Sequence, residues 1–382
     1  MLFTLSPEQS ALRERARLLA DNEFRARAAE IDRTEEYPAA NVRALVRERM
    51  MGMTIATEFG GGDRPLIDAI LVIEQVARVC GTTARIVVEG NAGAVSAIGH
   101  LGTAEQKRRY LPWVSEGEKP AIAITEKDAG SAATEMRTSA RAEGDVWVVE
   151  GAKCWITGAG SSRLYLVFAR FDDKPGAAGI GALLIERDTS GFRIGRREPA
   201  MGLRGLPEGE LIFERCRVPR DNMLIGAGGF KQLMSAYNCQ RVGAATVAMG
   251  IAQGAYEEAV RYARERRQFN RPISDFQGLR WMFADMTVQI EAARLLIYRA
   301  AVNAGHGFPQ RQEAAVAKLF AAESAIAITN NALQIFGARG YSRDLPMERM
   351  VRDARMFTIG GGTSQVMRNL VADGVLGPES AE

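Results

Sequence analysis

The side chains that could do chemistry are few and lie far apart in the chain. Gly360, Gly361 and Gly362 follow the apolar run MFTI and precede Thr363 and Ser364. Consecutive glycines let a ligand approach the backbone. The two hydroxyl residues read as the cap of a new helix carrying Val366, Leu370 and Val371, whose first N–H groups could face an anion. A plain loop between two helices fits the same stretch. Arg266 lies in an RERR run; a guanidinium matches phosphate oxygens in pairs, although such a run also reads as solvated charge. Trp155, among β-branched and small residues, reads as core. Ser131, Thr157 and Thr363 each have a turn or cap reading. Arg85 shares a helical face with Val88, Ala92 and Val95. A cation there meets an anion, snorkels to the surface or pairs with Glu89.

Other chemistries are excluded. The two histidines, His100 and His306, are too few for a histidine-rich metal site and argue against a Ser-His-Asp triad. Neither GxxxxGK[ST] nor GxGxxG occurs, so the usual nucleotide loops are missing. Cysteines 80, 154, 216 and 239 form no CxxC pair, which points to a reduced cytoplasm rather than a disulfide framework. With 49 basic and 46 acidic residues the charge is too balanced for a nucleic-acid or acidic-membrane partner. No apolar run reaches the roughly 18 residues of a membrane helix, and the start, MLFTLSPEQSALRERAR, lacks the pattern of a signal peptide.

Three kinds of segment must position these residues. Residues 1–118 read as helical: Ser6 and Pro7 open the first helix, a second follows Pro38 and ends near Gly52, and another runs from Thr103 into Trp113. Residues 119–228 are β-rich, with AIAIT, DVWVVEGAKCWITG, LYLVFAR, IGALLIE and LIFERCRVP separated by turn residues, and predict a small, mostly antiparallel sheet. Residues 229–382 are helical again, with Leu279, Phe283, Met286, Ile290, Ala293 and Ile297 at steps of four and three. The expectation is an α+β chain of an N-terminal helical domain, a middle β domain and a C-terminal four-helix bundle.

Nearly the whole chain resembles the acyl-CoA dehydrogenase superfamily. VRDARMFTIGGGTSQ is similar to its R-D-A-x-x-x-x-I-Y-E-G-T-[SA]-Q signature. AITEKDAGSAATEM, GAKCWITGAG, RERRQFNRPISDFQ and QIFGARGY are similar to further family motifs in the family's order, with Ala132 where Asp is usual and Asn270 where Gly is usual. The resemblance implies FAD, an acyl-CoA substrate and a homotetramer built as a dimer of dimers. Carried over by position, it implies that the backbone of Ile124 and Thr125 meets the flavin edge, Trp155 lies against the ring and Thr157 near its N5. Ser131 would sit near the FAD and CoA phosphates. Arg266, Phe269 and Gln277 would hold the FAD diphosphate and adenosine across a subunit contact, with Gln334, Gly337 and Ala338 nearby and Thr363 and Gln365 completing the site. Arg241 would support the CoA chain, with Tyr237 and Asn238 close.

One departure matters most. The family's base for the acyl α-proton is the Glu of Y-E-G-T, and in some members a residue on the long helix just before the CoA arginine. Here those positions hold Gly361 and Gln240, which take no proton at neutral pH. A general base typically contributes about 10²- to 10⁴-fold, so ordinary dehydrogenation should be severely impaired. In the family the helix of Arg85 begins near the bottom of the acyl pocket, so a cation there selects an acyl chain ending in a negative group. The combination resembles one branch of the superfamily, the 3-sulfinopropionyl-CoA desulfinases, which implies cleavage to propionyl-CoA and sulfite without net oxidation. Arg85 would then hold the sulfinate, Gln240 would lie near the acyl chain, and Gly361 would leave room where a carboxylate stood. Two alternatives stay open on the residues alone: a dehydrogenase or reductase for dicarboxylic acyl-CoAs with its base elsewhere, and a non-catalytic subunit.

Overall fold

The computed structural model describes residues 4–377. Ser6 and Gln9 exchange hydrogen bonds of 3.2 and 3.1 Å, a capping box that starts α1 (Pro7–Leu19). A π-turn leads into α2 (Arg25–Thr34). The helix after Pro38, α3 (Ala39–Arg47), stops short of Gly52, because Arg49 turns left-handed at φ 56°. Four more helices follow: α4 (Leu66–Ala77), α5 (Gly81–Glu89), α6 (Ala94–Leu101) and α7 (Ala104–Ser115). The single face expected for Arg85, Val88, Ala92 and Val95 is therefore broken between α5 and α6. Buried Asn91 takes over there: its Oδ1 accepts from Met53 N at 2.6 Å and its Nδ2 donates to Met50 O and Val87 O.

Eight strands make the middle sheet: β1 (Ala121–Ala123), β2 (Ser139–Glu143), β3 (Val146–Thr157), β4 (Leu164–Phe171), β5 (Ile180–Glu186), β6 (Phe192–Arg197), β7 (Glu208–Pro219) and β8 (Met223–Ile225). Their order is β6-β7-β3-β2-β4-β5-β8, with β1 beside β4. Only the β1–β4 and β2–β4 pairs are parallel. Strand β6 has three arginines in six residues, β2 has only two alanines as apolar residues and β8 has three residues, so none carries enough apolar pattern to be read from sequence.

The chain closes with α8 (Phe230–Glu265), a hairpin of β9 (Arg267–Gln268) and β10 (Arg271–Pro272), α9 (Gln277–Ala304), α10 (Arg311–Phe336), short α11 (Ala338–Tyr341), α12 (Met347–Arg355) and α13 (Ser364–Leu376). Met286, Ile290, Ala293 and Ile297 are buried along α9, with Leu279 and Phe283 packed at the margin. One core joins α4 and α5 to the buried faces of α8, α9 and α10. It places α5 directly under α8, and that contact builds the site. A knot of charge fastens α12 to it. Arg352 makes paired bonds of 2.9 and 2.6 Å to Asp32 and of 2.6 and 2.9 Å to Glu348. Next to it, buried Asp353 accepts from Leu203 N at 2.7 Å. Among the described residues no helix is long and apolar enough to cross a membrane.

Candidate active site

Every residue of α5 is buried, so Arg85 does not snorkel; it is 6% exposed. Glu89 is its neighbour one turn on, at 3.7 Å. The tighter partner of Glu89 is Lys119, fully buried at 2.9 Å and also bonded to Ser162 Oγ at 3.2 Å. Gln240 comes down from α8. With its carboxamide oxygen toward the guanidinium, it accepts from Arg85 Nη1 at 2.8 Å and Nη2 at 3.1 Å. Gly93, at φ 58°, leaves room for it: a Cβ there would stand 2.6 Å from the end of the Gln240 carboxamide. Arg85 Nε has no partner. Two cations and one carboxylate leave this buried cluster one positive charge in excess, which is a standing invitation to an anion.

The next residue on α8 faces elsewhere. Arg241 is buried, bonds Asn238 Oδ1 through Nη1 at 2.8 Å and lies 5.4 Å from the Tyr237 ring, so these three expected CoA neighbours do meet. Its Nε is also unpartnered. Lys318 of α10, which the motifs did not single out, is buried behind it and donates to Gly362 O. Burial and the charge of Arg241 push the Lys318 amine down to about 8. Gly361 beside it has φ 74° and open space where a Cβ would stand. Thr363 caps α13, accepting from Val366 N at 3.1 Å, and Gln365 is exposed in its first turn.

The expected flavin contacts fall into two groups. At the end of β1 and β3, Trp155 is not core: it is 54% exposed, in left-handed backbone at φ 55°, where the β3–β7 register shifts between Lys153 and Ile156. A strained aromatic held out of the core is a feature a binding site needs and a core does not. Thr157 lies two residues on and pairs with Glu208. Behind Ile124 and Thr125, buried Lys153 donates to Ile124 O at 2.9 Å and Glu126 at 2.8 Å, while Glu126 accepts from Arg137 N and Thr138 N. Desolvation pushes Lys153 down to about 8, with Glu126 opposing. Ser131 lies exposed in the loop beyond.

The second group sits at the far end of α8. Arg266, Phe269 and Gln277 are exposed on and beside the β9–β10 hairpin, whose two-residue turn has positive φ at Phe269 and Asn270. Asn tolerates that conformation nearly as well as Gly, which accounts for Asn270. Tyr262 stacks on Phe336 at 4.2 Å and brings the exposed Gln334, Gly337 and Ala338 to the same end. An aromatic face, a hydroxyl and braced main-chain groups in one place, and an exposed arginine with an aromatic in another, fit the ring and the diphosphate arm of FAD.

This fold and site define the class: the chain belongs to the acyl-CoA dehydrogenase family. The family's N-terminal, middle and C-terminal domains match residues 6–118, 121–216 and 227–376. Among solved structures it is similar to butyryl-CoA dehydrogenase from Megasphaera elsdenii, with a TM-score of 0.95, 33% identity and coverage of 98% of this chain and all of that one. More particularly, it is 51% identical to the 3-sulfinopropanoyl-CoA desulfinase of Cupriavidus necator over 98% of this chain and 96% of that protein. The protein of the same name from Paraburkholderia xenovorans is 50% identical over 100% and 99%.

Proposed function

We propose that this protein is an FAD-containing desulfinase that cleaves 3-sulfinopropionyl-CoA to propionyl-CoA and sulfite. The observation that carries the reading is the Arg85–Gln240 contact: a buried guanidinium with an open donor, met on α8 by a carboxamide rather than a carboxylate. Arg85 would take the sulfinate oxygens through charge-assisted bonds, and Gln240, bonded to it, would orient the acyl end. Gly361 adds no negative charge to repel the sulfinate. Arg241, with Tyr237 and Asn238, would support the CoA chain, and Ser131 would lie by its phosphates.

FAD supplies, when bound, a planar redox-active ring beside the acyl chain. Ile124, Thr125, Trp155 and Thr157 would hold that ring. Arg266, Phe269, Gln277, Gln334, Gly337, Ala338, Thr363 and Gln365 would hold the rest, contributed across a subunit boundary. A homotetramer also suits the outer face of α9, where Trp281, Val288, Leu295 and Val302 recur every seven residues and are 45–68% exposed. Such a stripe is stable only when another helix covers it. The four cysteines are free thiols, as a reducing cytoplasm would keep them.

The test is sulfite release from 3-sulfinopropionyl-CoA by the purified yellow protein with no electron acceptor. Sulfite with equimolar propionyl-CoA supports the desulfinase. No sulfite, with flavin bleaching by a dicarboxylic acyl-CoA, would replace it with a dehydrogenase of anionic acyl groups.

A further inference from the structure

Arg85 and Glu89 stand one turn apart on α5 and both are buried, yet they do not bond. Arg85 Nη2 and Glu89 Oε1 are 3.7 Å apart, beyond hydrogen-bond reach. Opposite charges four residues apart on a helix attract, and burial strengthens the attraction. A third group must hold Glu89 back.

That group is Lys119, just before β1. It is 1% exposed, and its Nζ donates to Glu89 Oε2 at 2.9 Å. Among the described residues Glu89 is its only carboxylate within 4.0 Å. The ammonium sits in a place made for it. Nζ also donates to Ser162 Oγ at 3.2 Å, and that hydroxyl donates back to Lys119 O at 2.8 Å. Ser162 N is itself bonded to Gly158 O at 2.9 Å. Gly158 follows β3 in left-handed backbone at φ 91°, and a Cβ there would stand 2.5 Å from Lys119 Nζ and 2.6 Å from Ser162 Oγ. The Tyr37 ring lies 5.8 Å from the ammonium. The strand that carries Trp155 and Thr157 thus ends in the turn that fixes Lys119.

Arg85, Lys119 and Glu89 together carry one net positive charge. Lys119 takes the carboxylate, so the excess stays on Arg85. Remove the lysine, and the nearest cation to a buried carboxylate is Arg85. Closing that pair lowers the cost of burying both charges and leaves none for a ligand.

We propose that Lys119 is the positioning residue that sets the preference for an anionic acyl end: it holds Glu89 off Arg85 and keeps the guanidinium open to the substrate. The inference rests on the desulfinase reading of the Arg85 site. It assigns Lys119 no contact with substrate and no part in bond cleavage.

The test is binding of two unreactive probes, succinyl-CoA and its neutral counterpart butyryl-CoA, to the anaerobic FAD-loaded protein by calorimetry. K119M should bind succinyl-CoA about 10²-fold more weakly than the wild type, with butyryl-CoA affinity unchanged. K119M/E89Q carries the wild-type net charge and should recover the succinyl-CoA affinity. A merely structural lysine would not be rescued by removing a second buried group, nor for one probe alone. The KM for sulfite release from 3-sulfinopropionyl-CoA should follow the same order. If K119M does not load FAD, the double variant decides: wild-type preference for succinyl-CoA supports the inference, and loss of that preference overturns it. Succinyl-CoA binding by K119M within about threefold of wild type would also overturn it. So would a loss shared by butyryl-CoA and not relieved by E89Q. A wild type that prefers succinyl-CoA but releases no sulfite would overturn the desulfinase reading and leave the role of Lys119 to be decided by the same binding comparison.

Discussion

Two arginines, Arg352 and Arg85, divide the molecule into a part built to hold and a part built to bind. Arg352 meets two carboxylates, Asp32 and Glu348, through four hydrogen bonds of 2.6–2.9 Å. Arg85 is more deeply buried but has one carboxylate at 3.7 Å, already engaged by Lys119, and a carboxamide. Paired guanidinium–carboxylate geometry saturates Arg352 and pins α12 against α2. The same charge left undersatisfied at Arg85 has to be met from outside the chain. Partnership, rather than burial, separates a structural charge from a binding one.

The comparison breaks first at Arg85. R85A should lower kcat/KM for sulfite release on the order of 10³-fold, since truncating one side of a desolvated charge pair costs about 2–5 kcal/mol, while the denaturation midpoint stays close to wild type. Intact sulfite production by R85A would remove Arg85 from the site. R352A should show the inverse. It strands Asp32 and Glu348 and should cost about 3 kcal/mol of stability in denaturant melts, with folded enzyme still active.

Smaller effects sharpen the distinction. Asp353 is held up to about 6 from 3.8, chiefly by burial, so the native state binds a proton that the unfolded chain has released. Its contribution is present below pH 3.8 and is lost as pH rises toward about 6. D353N, which keeps the acceptor for Leu203 N, should flatten that part of the stability–pH curve. At the other end of the same motif, G361A should cost about 1 kcal/mol in denaturant melts. Its φ of 74° disfavours a side chain, while the open space around it adds no clash.

Much of the fold was legible because its signals are local. The Ser6 and Thr103 caps, the α9 seam and the apolar strands depend on neighbours in sequence. The break between α5 and α6 was missed because Asn91 draws on Met50 and Met53, some forty residues away. Trp155 read as core by its type, and only the register shift between β3 and β7 turns it outward. Lys153 stood in plain view within GAKCW, yet its pairing with Glu126 follows from the fold.

By itself, the sequence determined which groups are available: glycine and glutamine where a base would stand, an arginine on an apolar helix, and no histidine-rich or cysteine-paired site. Residue identity and short spacings are covalent facts. What only the tertiary structure decided is how those charges add up. Lys119 reaches Glu89 across thirty positions, and Gln240 reaches Arg85 from another helix. Electrostatic partnership depends on distance and burial, and both are set when α5, α8 and the sheet pack together.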